Sequence, residues 1–516
     1  MMVGRRGAAA ATGVAVAAAA LGVAELVAIV TGSRSSPLVA VGSVVIDNSP
    51  EPVTEFGIDV FGVHDRLALQ IGTLVLLAGI AAGGGVLAAR RRWVGLAALG
   101  ALATVGVAAA VSRHDATVVS ALPTLAGALT AAVIYLVLYA RLAGGVDWPP
   151  PGTDRHRWTG VTVPGRRQFL RGVGYVLGGA AVAGLSGRWL STHRGVAAAR
   201  EEVALPAPVD PAPPVPAAAD LRLPDLASYV TGNGEFYRID TALVVPQVEP
   251  ADWTLRIGGR VRRPFTISFE ELLARPMIER FVTLACVSNE VGGNLIGNAR
   301  WLGVPVAELL AEAGPLPGAD QVVSRSVDGW TCGTPTEVLT DGRDALLAIG
   351  MNGEPLPPEH GFPVRMVVPG LYGYVSACKW ITEIELSSFD DYDAYWVPRG
   401  WAPRAPVKTQ SRIDTPRRGA AAGDVVVAGV AWAQHRGIDR VEVRVDGGPW
   451  HQATLAGTVS ADTWRQWSWT WPAATPGEHL VTVRATDSSG ETQPEELSPV
   501  APDGATGWHT VRVDVG

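Results

Sequence analysis

The sequence predicts three folded parts: an N-terminal α-helical membrane domain, an α+β domain and a C-terminal β-sandwich. Three observations carry this reading. The apolar residues of the 516-residue chain are concentrated in its first 190 positions, a proline-rich segment follows them, and the last part is cut by turns into short, regularly spaced strands. Charged residues make up only 18% of the chain and the net charge is −7, so no basic face is available to nucleic acid, and that class is excluded.

The membrane domain, residues 1–190, rests on five apolar runs at 8–30, 67–89, 94–111, 118–140 and, shorter, 172–187. Each of the first four is long enough to cross a ~30 Å hydrocarbon core as a helix. Arginine sorts the connections: Arg5 and Arg6 precede the first run, Arg90, Arg91 and Arg92 join the second to the third, and Arg141, Arg155, Arg157, Arg166 and Arg167 lie between the fourth and fifth. Those segments are expected to be cytoplasmic. The other connections are acidic or mixed, with Asp47, Glu51, Glu55, Asp59 and Asp65 in one and Arg113 with Asp115 in the other. With five spans the N-terminus is cytoplasmic, and everything after Leu190 lies outside the cytoplasm in a multi-pass protein of the cell membrane. The stretch GRRQFLR at 165–171 resembles a twin-arginine export signal, which serves proteins exported already folded. The plainer reading is a positive-inside anchor. No small-residue cleavage site follows, so the fifth helix is expected to stay. The five runs contain no histidine, and His64 and His114 fall in outer connections, which argues against a haem-binding bundle. Glu25 is the one acidic residue within a span. It lies near the outer end, where water is expected to reach it.

Residues 191–220 form a linker in which 204–219, ALPAPVDPAPPVPAAA, is expected to act as an extended stalk at ~3.1 Å per residue. The soluble remainder exceeds one core and splits at about residue 406. In 221–406, strands are expected at 253–261, 362–369 and 380–386. Helices are expected at 304–313 and at 268–274, where Ser268 caps and Glu271 stands three residues on. In 407–516 the strands are 425–431, 440–445, 464–471, 479–486 and 508–515, which indicates a β-sandwich.

The chemistry is placed in 283–304, TLACVSNEVGGNLIGNARWLGV. An apolar strand ends at Cys286 and gives way to a Gly/Asn loop. A thiol at a strand end can reach a ligand in a cleft, and as a thiolate it is a soft metal ligand. A buried, inert cysteine is the plain alternative.

Four blocks then add up to a resemblance: FYRID at 236–240, TLACVSN with ARWLGV at 283–304, MNGEPLPPEHGFPVRMVVPG continuing to KW at 351–380, and the C-terminal GVAW, VRVDGGPW, WRQWSW and VRATDSSGETQP. In this order they resemble the sulfite oxidase family of molybdopterin enzymes over nearly all of 221–516. The resemblance implies an α+β domain binding molybdenum-molybdopterin, one pterin per metal, and an immunoglobulin-like, dimerisation-type domain at 407–516. It implies that Cys286 ligates molybdenum beside two dithiolene sulfurs. Arg365 and His360 match positions that bind the pterin and its phosphate, Lys379 matches the lysine of the KW pair, and Phe236, Tyr237 and Asn289 fall in the matched blocks. Arg238 matches an arginine near the metal, with Asp240 where histidine is often found. A guanidinium and an ammonium are what a phosphate needs.

The chain departs from the family at Glu290 and Val291, where sulfite-oxidising members carry arginines, and at Trp330, which stands for a tyrosine. Both departures are expected to touch the substrate pocket, and a pocket poorer in positive charge suits sulfite badly. Cys332 and Cys378 have no role in the resemblance and are expected to be buried, with a disulfide open to them. The leading function is thus a membrane-tethered molybdenum oxidoreductase, transferring oxygen to or from a small sulfur or nitrogen compound. Cys286, Arg238 and Trp330 are its expected catalytic residues. It is expected to pass electrons to an external cytochrome or quinone-linked carrier, and a homodimer through the C-terminal domain is open to it. Sulfite oxidation proper, a cofactor-binding or assembly protein without turnover, and a transporter carrying a sensor domain are the other readings.

Overall fold

The computed structural model describes residues 2–49, 60, 65–88, 92–113, 116–143, 166–193 and 196–516. His64, His114 and most of the arginine-rich and acidic connections used to predict topology lie outside these. The chain divides into two units: Met1–Gly195 with Ala242–Gln247, and Val196–Thr241 with Val248–Gly516.

The first unit consists of helices α1 (Met2–Thr31), α2 (Pro37–Asp47), α3 (Asp65–Ala88), α4 (Arg92–Val111), α5 (Leu122–Ala143) and α6 (Arg166–His193). Among the described residues four segments are long and apolar enough to cross a membrane: Arg6–Thr31, Ala68–Ala88, Trp93–Val111 and Val118–Leu138. The fifth predicted span is not one of them. It lies in α6, whose 28 residues reach ~42 Å at ~1.5 Å each, but its glycines, Ser186, Arg171 and Arg188 dilute the apolar run. α6 nevertheless packs closely on α1, where a Cβ on Gly22 would stand 2.7 Å from the Ala180 carbonyl oxygen. α5 approaches α1 in the same way, with Gly127 against the backbone of Ala20. Small residues let such backbones meet. Glu25 is not open to water as expected: it is buried, and its carboxylate accepts a 2.5 Å hydrogen bond from the Ser36 hydroxyl just ahead of α2. α2 is not among the expected helices, although Ser36 stands at its N-cap and Pro37 in its first turn.

The second unit begins with α7 (Ala197–Glu202) and the proline-rich segment. That segment is not a free stalk. It forms no helix up to Pro216 and closes in a 3-10 turn at Ala217–Ala219, and it docks on its own unit: Val209 N–H donates to the Met277 carbonyl at 2.8 Å, Glu279 N–H to the Asp210 carbonyl at 2.9 Å, and Ala219 is fully buried. Two sheets follow. One has the order β2-β1-β10-β5-β6 and is built from β1 (Thr254–Gly259), β2 (Phe265–Ser268), β5 (Gln321–Ser326), β6 (Thr331–Pro335) and β10 (Ile381–Ser387). The other has β3 (Ile278–Ala285), β4 (Ile296–Pro305), β7 (Leu346–Met351) and β8 (Glu354–Pro355) in order, with β9 (Arg365–Val367) on β7. Helices α8 (Phe269–Leu273) and α9 (Val306–Ala313) complete an α+β domain. The predicted capping box opens α8: Glu271 N–H donates to Ser268 Oγ at 3.2 Å, and Ser268 N–H to the Glu271 carboxylate at 2.7 Å.

The C-terminal region holds β11 (Gln410–Thr415), β12 (Gly419–Ala420), β13 (Gly423–Trp432), β14 (Ile438–Val445), β15 (His451–Gln452), β16 (Thr454–Leu455), β17 (Arg465–Ala474), β18 (Gly477–Asp487) and β19 (His509–Val515). They form sheets β11-β13-β17-β16 and β12-β19-β18-β14-β15 around a shared core that includes Val427, Val441, Trp467 and Val483. Each predicted strand here is present. Short β12, β15 and β16 carry too few residues to show a period.

Candidate active site

β3 and β4 pair antiparallel, and the loop between them carries the lone thiol. Cys286 follows the last residue of β3, and its N–H donates to the Leu295 carbonyl at 2.9 Å, which closes the loop. The loop is buttressed by the C-terminal region of the same unit. Arg412 donates to the Gly293 carbonyl at 2.8 Å, and Gly292, at φ +77°, lies against the His509 ring, where a side chain would collide. Thr283 N–H donates to the Asp462 carbonyl at 2.9 Å, and its hydroxyl accepts from Trp464 N–H at 2.8 Å. The sandwich therefore holds the strand that presents the thiol.

Cys286 lies on a cleft of about 800 Å³, part of it open to solvent. Burial pushes its thiol above the ordinary value, against hydrogen bonds from Ser288 that favour the thiolate. Phe236 and Tyr237 form one wall, stacked with ring centroids 5.2 Å apart, and Phe236 meets His360 edge-on at 5.6 Å. Burial and the neighbouring Cys286 raise the Tyr237 phenol well above its usual range.

The cations come from a second pair of segments. Met366 N–H donates to the Cys378 carbonyl at 2.8 Å and Ile381 N–H to that of Val364 at 3.1 Å, so Arg365 and Lys379 lie side by side. Both line the cleft and both are buried. Arg365 donates to the His360 carbonyl at 3.2 Å and lies 5.0 Å from the Trp301 ring centroid; no carboxylate pairs with it among the described residues. Burial pushes it down to about 10. Lys379 binds Asp240 at 2.8 Å and the Glu359 carbonyl at 3.1 Å, and burial holds it at about 8 despite that carboxylate. His360 Nε2 lies 2.9 Å from the Asn233 carbonyl, and burial followed by the Arg365 charge lowers it to about 4, so the ring is neutral at pH 7.

The cleft lining departs from expectation at three places. Arg238 does not line the cleft. Phe236, Tyr237, Ile239 and Asp240 line it, while Arg238 is exposed and binds Asp240 at 2.9 Å. Nor do Glu290 and Val291 touch the pocket, because the loop that carries them is drawn toward the C-terminal region. Asn289 is likewise off the cleft. It is buried, its Oδ1 accepts from Leu295 N–H at 2.8 Å, and its Nδ2 has no partner within the chain. Trp330 does line the cleft, as expected. Asp328, Tyr374 and Trp396 line it too. These were missed because each sits in an irregular segment, where no periodicity marks a face. Cys332 and Cys378 are buried, free thiols.

The residues fit a molybdopterin. Among the described residues no group of three His, Cys, Asp or Glu could hold a metal, and a cofactor would supply the further ligands of a metal on Cys286. Arg365 is a buried cation without a counter-ion, which an anionic cofactor would supply. Strand-end thiol, buried cations and aromatic wall together define a molybdopterin-dependent oxidoreductase. Two family models match in chain order: an oxidoreductase molybdopterin-binding domain over 242–396 and a Mo-co oxidoreductase dimerisation domain over 406–515. The chain is 32% identical over 324 residues to sulfite oxidase of Gallus gallus, covering 53% of this chain and 70% of that protein. It belongs to the sulfite oxidase family. Mitochondrial sulfite oxidase of Mus musculus is 30% identical over 340 residues, covering 56% of this chain, which spans 62% of that protein's length. Among solved structures, the sulfane dehydrogenase SoxCD from Paracoccus pantotrophus matches 57% of this chain and 88% of its own at 25% identity and a TM-score of 0.48.

Proposed function

We propose that this protein is a membrane-tethered molybdenum-cofactor oxidoreductase whose second unit works outside the cytoplasm, transferring oxygen to or from a small sulfur or nitrogen compound. The observation that carries the reading is the Cys286 thiol on a cleft whose only carboxylate-free cation, among the described residues, is the buried Arg365. Cys286 would hold the metal, while Arg365 and Lys379 would hold the anionic end of the pterin. Phe236, Tyr237 and neutral His360 would pack against it. The bound cofactor supplies two-electron chemistry at the metal. This chain's residues orient it, exclude water from it through the aromatic wall, and fix the substrate's position with Trp330, whose indole N–H makes no hydrogen bond among the described residues.

The apolar helices would anchor the chain, with α6 as the fifth span. The C-terminal sandwich, of immunoglobulin type, would pair two copies, and an external cytochrome or quinone-linked protein would exchange electrons. Sulfite oxidation is the second reading, favoured by the names of the relatives. With Arg238 off the cleft lining and paired to Asp240, and Arg365 committed to the cofactor, we expect sulfite to be the poorer substrate. Steady-state assays at fixed ionic strength, sulfite oxidation against reduction of S-oxides and N-oxides, decide between them. Sulfite turnover at a micromolar Michaelis constant would overturn the preferred reading.

A further inference from the structure

Building on that proposed reaction, we infer that the cleft selects substrates carrying a cationic group beside the reacting sulfur or nitrogen, and that Asp328 determines this specificity. The charges of the cleft are otherwise committed. Asp240 is bound by both Arg238 and Lys379, at 2.9 and 2.8 Å. Arg365 is the cation left for an anionic cofactor. Asp328 lines the same cleft, partly buried, and no cation pairs with it among the described residues. One of its oxygens accepts the Trp330 N–H at 3.2 Å, leaving the other free to meet a ligand.

The same cleft is lined by aromatic rings held in place by their own contacts. The Tyr374 hydroxyl donates to the Ala402 carbonyl at 2.6 Å, and Trp396 meets Trp401 edge-on at 6.2 Å. With Trp330, these rings line the same cleft as the carboxylate. A carboxylate among aromatic faces attracts an ammonium or sulfonium through charge and ring quadrupole together. The same carboxylate repels a dianion such as sulfite, with no second free cation lining the cleft among the described residues to offset it. The plain role for Asp328 is to cap the turn before β6 through that Trp330 bond. Asparagine keeps this role, because its amide oxygen accepts equally well.

The test uses the full-length holoenzyme and two probes of one size, 3-(methylsulfinyl)propylamine and 3-(methylsulfinyl)propanoate. Binding is read by quenching of tryptophan fluorescence, turnover by oxidation of a reduced dye, and cofactor loading by molybdenum content. The amine should bind on the order of 10-fold tighter than the carboxylate. In Asp328→Asn the preference should fall to within about 2-fold at unchanged molybdenum content, and Asp328→Glu should keep part of it. Equal binding of the two probes by the native protein, or a preference untouched in Asp328→Asn, would overturn the inference, whether or not the sulfoxides are turned over. An Asp328-dependent preference without turnover would support the inference and count against the proposed reaction.

Discussion

Asp240→Asn is the substitution whose effect can be worked furthest from the structure. Asp240 joins exposed Arg238 to buried Lys379, which lies at about 8 because burial outweighs the carboxylate's support. A hydrogen bond between charged groups contributes ~1.5–3 kcal/mol, or roughly one to two pKa units. Without the carboxylate Lys379 should therefore titrate near ~6–7. At pH 7.5 its protonated fraction would fall from about three quarters to about a tenth. A lysine is charged below its pKa, so its hold on an anionic cofactor weakens as pH rises through that value: near 8 in the native protein, and one to two units lower in the variant. His360, held at about 4, stays neutral across this window and adds nothing to the profile. The assay is molybdenum and pterin retained after desalting between pH 6 and 9. Superimposable retention curves for the two proteins would refute this account of Lys379.

Arg365→Ala should reduce cofactor retention at least about tenfold, since a charged contact of this kind is worth ~1.5–3 kcal/mol; Arg365→Lys should restore part of it, losing the packing on Trp301, as read by pterin fluorescence of the purified protein. Trp464→Ala should destabilise the second unit by ~3–5 kcal/mol in denaturant titration, because the side chain is 2% exposed and its N–H satisfies the Tyr229 carbonyl at 2.9 Å. A reporter fused after residue 195 should be active only outside the cytoplasm. Replacing Arg166 and Arg167 with lysine should retain the second unit inside if the twin-arginine reading holds, and normal export of that variant would leave only the anchor reading.

What could be read in the sequence follows where a physical rule is local. The Ser268/Glu271 capping box, the strand ending at Cys286 and the turn-separated strands of the sandwich each depend on a few neighbouring residues, and each is present. Cys286, Phe236, Tyr237, His360, Arg365, Lys379 and Trp330 do meet on one cleft. The misses are matters of direction and docking. Which residues of 236–240 reach the cleft depends on how an irregular segment is turned, and the motif FYRID does not encode it. The loop at Glu290 goes to the sandwich because Arg412 and His509, more than a hundred residues away, receive it. The proline-rich segment had the right conformation and the wrong environment: its composition dictates extension, while its docking depends on free hydrogen-bonding groups at Met277 and Glu279. Asp328 gave no signal at all, since an aspartate before glycine reads first as a turn.

The claim that Cys286 binds the metal is tested most directly by molybdenum content per chain together with X-ray absorption at the molybdenum edge, in the native protein and in Cys286→Ser. The account predicts about one molybdenum per chain in the native protein, with a sulfur contribution that drops by one ligand in the serine variant, because a hard hydroxyl replaces a soft thiolate. An identical sulfur shell in both proteins, or full activity without molybdenum, would contradict it.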